Sequence, residues 1–515
     1  MSGSSTWFPW LTVLGLIPLV GSVVVALLPR RNGALAKQAA LGISLLAFAV
    51  SVVVAVSFKA GGGYQFVEIH SWIAAFGVHY ALGLDGLGVV LVMLTTILTP
   101  IVILASWHDA DNGRWSVHSF FAWALAVEGL SIGVFEATDV FLFYVLFEAT
   151  LIPIYFLIGG FGGAQRSYAS VKFLLYNLFG GLLMLASIVG LYVVSTQTFG
   201  HPTYLLQDLM HLKMGQTTER WLFLGFFAAF AIKAPMWPVH TWLPDAASEG
   251  TPGTAVLLVS VLDKIGTFGM MRFCLGIFPS ASHWASPVIM ALGVMSVIYG
   301  ALLAIGQQDI RRLIAYASIS HFGFIVLGIF ALTRTSAAGS ALYMFNHGIS
   351  TAALFLITGF FITRRGSKMI RDFGGVEKVA PICAGLFLVA GLSSLSLPGL
   401  SPFVSEFLVL AGTFTRSIVA SAVAVFGIVL AAIYILYLYQ RTMTGPERES
   451  TRHMRDLNVR EVASVAPLVF LLVVLGFFPR PVLSVVNPTV HSLLQHVGVT
   501  DPAPTVAAEP QGAAK

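Results

Sequence analysis

Charged residues are scarce in this chain. Asp, Glu, Lys and Arg make up 10% of its 515 residues, hydrophobic residues make up 57%, and the mean hydropathy is +0.86. A typical soluble domain carries roughly 25% charged residues. The composition therefore excludes an ordinary soluble domain and predicts a polytopic membrane protein.

Cysteine is scarcer still. Cys274 and Cys383 are the two cysteines, and they lie far apart within apolar segments, so the sequence has no CxxC pair and no disulfide framework. Iron–sulfur and structural zinc sites are not expected. The histidines show no HxxxH or HExxH spacing, so no metal site is predicted in this chain.

Basic residues are not gathered into a face. The net charge is +5, but Lys and Arg are scattered in short loops without interleaved aromatic residues, so no nucleic-acid surface is predicted. The sequence also has no soluble nucleotide domain and no convincing GxGxxG motif after a strand. Direct binding of NADH by this chain is not expected, and no cofactor is predicted in it.

Long apolar runs are what the sequence has in abundance. Stretches of about 20 residues predict an all-α fold, a polytopic bundle of about fourteen transmembrane helices. The approximate limits are 8–28, 39–58, 84–106, 118–137, 138–159, 169–195, 220–241, 251–274, 285–305, 309–332, 337–362, 381–412, 418–440 and 461–482.

The predicted spans form one membrane domain, residues 1–515. It divides into N-terminal spans at 8–106, a first repeat of spans four to eight at 118–274, a second repeat of spans nine to thirteen at 285–440, a final span at 461–482, and a tail at 501–515. The tail is rich in Ala and Pro and is predicted to be disordered.

The distribution of Lys and Arg predicts the topology. Loops after odd-numbered spans carry most of these residues, so the positive-inside rule places both termini on the outer side of a multi-pass protein of the inner cell membrane.

Two predicted spans are interrupted by proline, five helices apart. The seventh reads AFAIKAPMWPVHTWLP, with its break just after Lys233, and the twelfth reads LSSLSLPGLSPFVSEF, with its break just before Glu406. Matched breaks five spans apart predict two inverted five-helix repeats whose broken helices line an aqueous path.

Four ionisable groups lie in the middle of predicted spans: Glu148, Lys233, Lys264 and Glu406. Each costs about 2.5–3.5 kcal/mol at that depth unless it pairs or meets internal water. The cost favours a function for these groups. Glu148 is the most plausible carboxylate partner for Lys233, and a movable partner of this kind could load and unload the lysine's proton.

Three histidines extend this set. His321 and His347, on the tenth and eleventh spans, could form a relay with Lys264, and His240, just past the first break, could bridge Lys233 to Lys264. For each histidine alone, a hydrogen bond between packed helices is an equally good explanation.

Three acidic residues raise separate questions. Glu406 has no Lys or Arg within a helical turn, so its partner must come from another span or from water. Glu128 is explained equally well by function or by an interhelix hydrogen bond. Asp263 precedes Lys264, and neighbours in a helix point about 100° apart, so a local ion pair between them is not expected.

Several stretches of this sequence resemble a known family. FEATLIPIYFLI, FAIKAPMWPVHTWLPDAASEGTPGTAVLLVSVLDKIGTFGMMRF, RRLIAYASISHFGF, LYMFNHGIS and SLPGLSPFVSEF are similar to the antiporter-like membrane subunits of proton-pumping NADH:quinone oxidoreductase, respiratory complex I. The resemblance covers about 85–445. Within the family the chain is most similar to the subunit M type, mitochondrial subunit 4, because Glu406 stands where sister subunits carry Lys and because the chain ends after its final span.

The resemblance implies roles for the candidate residues. Glu148 and Lys233 would form a charged pair that gates proton uptake, Lys264 and His347 a central relay, and Glu406 would serve the release side. His321 and His240 match positions on the internal water line. The family usually has an apolar residue at position 263, so Asp263 is a departure with no explanation in the sequence.

The resemblance also implies partners and cofactors. NADH, FMN, iron–sulfur clusters and quinone would lie in partner subunits, which would include L- and N-type antiporter-like subunits beside membrane lipids. Quinone reduction there would drive protons from the cytoplasm to the outside through this chain. Two alternatives remain open: a subunit of an Mrp-type sodium/proton antiporter or membrane-bound hydrogenase, and a stand-alone secondary transporter for an organic solute.

Overall fold

The computed structural model describes residues 8–61, 63–111 and 115–501. Within these residues, twelve helical stretches are long and apolar enough to cross a membrane. The predicted all-α polytopic bundle is confirmed, while the count of fourteen spans and the inverted repeats stay predictions. Most of the predicted disordered tail, residues 502–515, lies outside the described residues.

The helices of the N-terminal half run from the first span to the short helix that follows the first break. They are α1 (Trp10–Leu27), α2 (Gly33–Ser57), α3 (Gly86–Ala105), α4 (Val117–Glu136), α5 (Val140–Ala149), α6 (Leu151–Phe161), α7 (Arg166–Phe199), α8 (Leu206–Leu209), α9 (Gln216–Lys233) and α10 (Trp242–Glu249).

The C-terminal half continues with eleven further helices. They are α11 (Pro252–Val256), α12 (Asp263–Gly269), α13 (Pro279–Ile305), α14 (Ile310–Phe330), α15 (Arg334–Arg365), α16 (Val376–Val379), α17 (Pro381–Ser394), α18 (Ser401–Arg416), α19 (Ile418–Thr442), α20 (Val459–Phe477) and α21 (Arg480–His496).

Both predicted breaks are present. Helix α9 ends at Lys233 and α10 begins at Trp242, whereas α17 ends at Ser394 and α18 begins at Ser401. Proline has no N–H to donate, so carbonyls of the preceding turn lose their helical partners. At the first break one of them is satisfied by a side chain, because the indole Nε1 of Trp242 donates to the carbonyl of Ile232 at 3.0 Å.

The eighth span is irregular around its lysine. It runs over Pro252–Leu275, and α12 is flanked by two π-helical segments, Leu257–Leu262 and Met270–Leu275. Single π turns inside α-helices are frequent at functional sites. Lys264 is the second residue of α12 and lies two residues beyond the end of the first π segment.

Burial separates the central helices from the peripheral ones. The most apolar windows of Pro252–Leu275 and α15 are 100% buried and that of α14 is 94% buried, compared with 28% for α1 and α2. The central helices are those that carry Lys264, His347 and His321. Their surroundings are protein on all sides, while the outer helices face the apolar surroundings of the bundle.

Two elements were missed by the sequence analysis. A β-hairpin of β1 (Gln65–Ile73) and β2 (Val78–Leu84) pairs antiparallel between α2 and α3. The second element is α21, which packs on the start of α3: the backbone N–H of Gly86 donates to Thr489 Oγ1 at 3.0 Å. A side chain at Gly86 would overlap the carbonyl of Val485, so this close approach requires glycine.

Candidate functional site

Lys264 and His347 are directly bonded in the centre of the bundle. The Lys264 Nζ atom lies 2.7 Å from Nδ1 of His347 and donates to the carbonyl of Val259 at 3.0 Å. The ammonium also lies 4.4 Å from the centroid of the Phe322 ring, an arrangement that favours a cation. Lys264 is 0% exposed and His347 is 2% exposed, so this bond is shielded from solvent.

The second half of the cluster joins α14, α15 and α18. The rings of His347 and His321 lie 5.3 Å apart between centroids, and His321 Nδ1 lies 3.3 Å from Oε1 of Glu406. The Tyr343 hydroxyl contacts His321 Nδ1 and donates to the same carboxylate oxygen. The expectation that Glu406 finds its partner on another span is confirmed, and the five residues form one continuous cluster.

Tyr343 was missed by the sequence analysis. It stands four residues before His347 in the motif LYMFNHGIS, so the two side chains lie on one face of α15. That spacing is a usable signal, but a buried tyrosine in a membrane helix is also an ordinary packing residue. The signal became informative once α18 was known to bring Glu406 to this face.

Lys233 lies at the C-terminal end of α9, beside the first break. Its Nζ donates to Thr150 Oγ1 at 3.3 Å and lies 4.6 Å from the centroid of the Phe147 ring. Among the described residues the structure gives no ion pair between Lys233 and Glu148. The Glu148 carboxylate packs on Gly181 of α7, where a Cβ would overlap its Oε1 atom. The two members of the predicted pair thus lie on different helices without a direct ion pair, but their charges interact electrostatically.

The two lysine-bearing helices touch through their backbones. A Cβ on Gly266 of α12 would lie 2.5 Å from the backbone nitrogen of Ala234, the residue that follows Lys233. Glycine is therefore required at position 266 for this contact. The contact fixes the start of the break against α12.

Asp263 and Glu128 are buried carboxyl groups that accept no hydrogen bond within the described part of the chain. Both are 0% exposed. Asp263 is not ion-paired with Lys264, as expected from their spacing, but it interacts electrostatically with Lys264 and Lys233. For Glu128, the alternative of an interhelix hydrogen bond finds no partner in the described part of the chain.

His240 lies apart from the central cluster. Its ring contacts Tyr299, with centroids 5.2 Å apart, and Tyr316, with centroids 6.5 Å apart. Its described contacts include neither Lys233 nor Lys264. The bridging role for His240 stays a prediction.

Comparison with known proteins adds to this geometry. The sequence profile of the family described as NADH:quinone oxidoreductase/Mrp antiporter, TM, matches residues 137–431, which include all five residues of the cluster. NADH-quinone oxidoreductase subunit M of Mycobacterium tuberculosis (strain ATCC 25618 / H37Rv) is 53% identical over 97% of this chain and 96% of its own length. The chain belongs to the subunit M family of NADH-quinone oxidoreductase.

More distant members and solved structures agree with this assignment. Subunit M of Rhodobacter capsulatus is 37% identical over 94% of this chain and 96% of its own length. A chain of respiratory complex I from Thermus thermophilus with bound NADH is 31% identical, with a TM-score of 0.85 over 95% of this chain and 100% of that one. A chain of the Mrp complex from Dietzia sp. DQ12-45-1b is 21% identical, with a TM-score of 0.83 over 95% and 98%, and shares the fold.

An ionic network anchors α10 in this subunit M chain. Asp245 binds Lys172 of α7 at 2.7 Å and Arg312 of α14 at 2.5 Å. Glu249, at the end of α10, binds Lys368 at 2.9 Å. The sequence analysis missed this network because its members come from four separate segments.

The described residues contain no group of three or more His, Cys, Asp or Glu side chains that could hold a metal ion. The subunit M cluster consists of one lysine, two histidines, one tyrosine and one glutamate. These are groups that exchange protons.

Proposed function

We propose that this chain moves protons across the membrane as the subunit M component of the membrane arm of NADH:quinone oxidoreductase. One observation carries the proposal: proton-exchanging side chains run from Lys264 through His347 and His321, on the three most buried spans, to Glu406 on α18. Ionisable groups at membrane depth are costly and mark ion or proton pathways.

The first transfer takes place between Lys264 and His347. At 2.7 Å the two nitrogens share one hydrogen bond, so one of them donates the bridging proton and the other accepts it. The Val259 carbonyl and the Phe322 ring stabilise the charged lysine, and the proton rests on Lys264. An added positive charge nearby would push this proton onto His347, leaving a neutral amine.

The second transfer leads to Glu406. The His347 and His321 rings are 5.3 Å apart, a gap that ring rotation or one intervening water closes. The Tyr343 hydroxyl touches both His321 and Glu406, and it can pass a proton between them by accepting from one and donating to the other. Once the gap between the two imidazole rings is closed, the imidazole, phenol and carboxyl groups form a continuous path for proton transfer.

The Glu148–Lys233 pair supplies the control. With the Glu148 carboxylate against Gly181, Lys233 is held by the Thr150 hydroxyl and lacks a bonded counter-charge. A buried ammonium without a bonded carboxylate is unfavourable, and Glu148 and Asp263 offset this cost only by electrostatic attraction at longer range, so this arrangement favours release of the Lys233 proton toward Lys264. Return of Glu148 to Lys233 would favour uptake of the next proton.

Electron transfer belongs to partner subunits in this proposal. NADH, FMN, iron–sulfur clusters and quinone are held there, and L- and N-type antiporter-like subunits flank this chain in the inner cell membrane. With both termini on the outer side, protons move from the cytoplasm to the outside. Quinone reduction supplies the free energy, and this chain's residues bind and pass the protons.

Proton pumping by the purified complex in proteoliposomes tests the proposal. Lys233→Ala and Lys264→Ala should assemble and lose most proton translocation per NADH oxidised. Lys233→Arg should also be impaired, because arginine does not deprotonate in proteins. Lys213→Ala, at an exposed loop position, is the matched control and should pump normally. Normal pumping by assembled Lys233→Ala and Lys264→Ala complexes would refute the proposal.

The composition of the same purified complex separates the related alternatives. Flavin and iron–sulfur partners support the oxidoreductase assignment. Partners without redox centres would instead indicate an Mrp-type antiporter, whose chain shares the fold.

A further inference from the structure

A buried carboxyl group outside the central cluster lies at the end of α4. Glu136 is the last residue of that helix, is 0% exposed, and accepts no hydrogen bond from the described residues. Buried polar groups are nearly always hydrogen-bonded, so an isolated carboxyl of this kind needs an explanation. The family resemblance assigns no role to it.

A second carboxyl group lies beside it on the β-hairpin. Glu68 of β1 is 8% exposed, and its Oε1 accepts the backbone N–H groups of Leu11, at 2.9 Å, and Thr12, at 3.4 Å. Its Oε2 accepts the Thr12 hydroxyl at 2.5 Å. These N–H groups belong to the first turn of α1, where backbone N–H groups have no carbonyl acceptor within the helix.

The two carboxyl groups share one face of α1. Oε2 of Glu136 lies 3.9 Å from the position that a Cβ on Gly15 would occupy, and Gly15 is one helical turn beyond Leu11. Glu136 and Glu68 also interact electrostatically. Burial and a negative charge on Glu68 both add to the cost of ionising Glu136, so a proton is favoured on the Glu136 carboxyl.

The helix ends decide where that proton rests. Glu68 lies at the N-terminus of α1, where the helix dipole and free N–H groups stabilise a negative charge. Glu136 lies at the C-terminus of α4, where the dipole opposes a negative charge. Glu68 is therefore the ionised member and Glu136 the protonated one.

Two hydroxyl groups connect the pair to the hairpin surface. The Thr12 Oγ1 that bonds Glu68 lies 2.9 Å from the hydroxyl of Tyr80, which is half-buried. Burial raises the pKa of Tyr80, the Thr12 bond lowers it, and the charges of Glu136 and Glu68 raise it again, with a net increase. Tyr80 stays a neutral phenol that can both donate and accept. Its ring stacks on His70, which is exposed on β1.

Helix α4 connects this pair to the central helices. Glu128 lies eight residues before Glu136, about 12 Å along the helix axis. It shares a face with Phe135, seven residues away, and the Phe135 ring lies 5.2 Å from the ring of Phe268 in α12. The unpartnered carboxyl of Glu128 thus lies on the side of α4 that faces the helix of Lys264.

We propose that Glu136 and Glu68 form a proton-exchange site, distinct from Glu406, which opens to the aqueous face at the hairpin through Thr12 and Tyr80. Glu136, whose carboxyl makes no hydrogen bond to Glu68 among the described residues, gives its proton to an intervening water while that water gives a proton to the Glu68 carboxylate. The Glu68 proton then passes to Thr12 while the Thr12 hydroxyl proton passes to Tyr80 and the phenol proton to water, so each O–H bond broken is matched by one formed. This inference rests on the proposed function: with the N-terminus outside, α1 and α2 each cross the membrane once, so the hairpin that follows α2 lies on the outer side, where protons are released.

Infrared spectroscopy and proton release by the purified complex test the site together. In Glu136→Gln, the C=O band of one protonated carboxyl group should disappear, and it should persist in Glu68→Gln. Proton release in proteoliposomes should slow by about 10²-fold in the route through this site, the usual effect of removing a proton-transfer group. An unchanged carboxyl band with normal release in Glu136→Gln would overturn the proposal.

Hydroxyl variants decide the matter if carboxyl variants fail to assemble. Tyr80→Phe and Thr12→Val keep the side-chain shape and should slow release. Tyr204→Phe is the matched control on the same face, since its hydroxyl bonds only the carbonyl of Ile188 in the described structure, at 3.4 Å, and release should be normal. Normal release in Tyr80→Phe and Thr12→Val would refute the route.

Lys264→Ala separates this inference from the proposed function. Lost pumping in Lys264→Ala with normal release in the Glu136, Thr12 and Tyr80 variants would overturn the exchange site alone. Normal pumping in Lys264→Ala would overturn the proposed function itself.

Discussion

The guanidinium group of Arg272 lies 2.6 Å from the carboxylate of Asp85, and their side chains are only 2% and 8% exposed. The pair joins the end of the eighth span to the residue that caps α3. The guanidinium also lies 4.5 Å from the Phe268 ring and 5.1 Å from the ring of Tyr64, the residue before β1, so the start of the hairpin, α3 and the eighth span meet at one cation.

Breaking this ion pair should destabilise the protein. Asp85→Asn leaves an uncompensated buried guanidinium, which costs about 3–5 kcal/mol. Arg272→Lys keeps the charge but loses the planar stacking on both rings and should also be destabilising. Thermal unfolding of the detergent-solubilised complex measures the change. The double variant Asp85→Leu with Arg272→Met should recover most of this stability, short of about 1 kcal/mol for the lost cap on the Gly88 N–H of α3. No recovery relative to Asp85→Asn would show that the pair has another role.

The hydroxyl of Tyr343 should matter more than its ring. Tyr343→Phe keeps the ring contact with His347, whose centroid is 6.2 Å away, but removes the group that joins His321 to Glu406. We expect an assembled complex whose proton translocation per NADH oxidised is strongly reduced. Proteoliposome pumping measures this.

Tyr434→Phe is the matched control for that variant. The Tyr434 hydroxyl is also buried, but it has no hydrogen-bond partner among the described residues. Pumping by Tyr434→Phe should be normal. Equal effects of the two substitutions would contradict a relay role for Tyr343.

Gly181→Ala should displace Glu148. The new methyl group would occupy the position of Oε1 of Glu148, so the carboxylate must leave the surface of α7. We expect an intact fold, because the far end of a glutamate side chain can rotate at small cost, together with altered pumping. Gly42→Ala is the control, since nothing lies within 4 Å of its added methyl group, and alanine there should slightly stabilise α2. Pumping rates and melting temperatures of both variants distinguish a displaced carboxylate from general destabilisation.

The main residues of the site could be predicted from the sequence, because a charged side chain within a membrane span costs free energy and is therefore rare outside functional sites. Lys233, Lys264 and Glu406 are charges in apolar runs, and the two proline breaks are readable as interruptions beside two of them. Their meeting with His321 and His347 depends on which helix faces pack together. The spacing of residues along one helix shows which of them share a face, but it does not show which other helix packs against that face.

The parts that escaped prediction are weak in hydropathy. The hairpin and α21 lie between or after the apolar runs, so a search for spans passes over them. Glu136 lies at the end of α4, where a glutamate is usually solvated, and the packing of α1 and β2 against α4 makes the residue buried. Asp245 reads likewise as a loop charge until Lys172 and Arg312 are brought to it.

The main-chain contact between Gly266 and Ala234 has a mechanical consequence. Where side chains separate two helices, rotamer changes let one helix slide over the other. At Gly266 and Ala234 the two backbones are in close contact, so side-chain rotation cannot accommodate such sliding. A displacement of α9 is therefore transmitted to α12, and the backbones that carry Lys233 and Lys264 move together. Proton transfer between the two lysines is then regulated by hydration and by rotation of individual side chains, while the distance between their Cα atoms is fixed by the packing of the two helices.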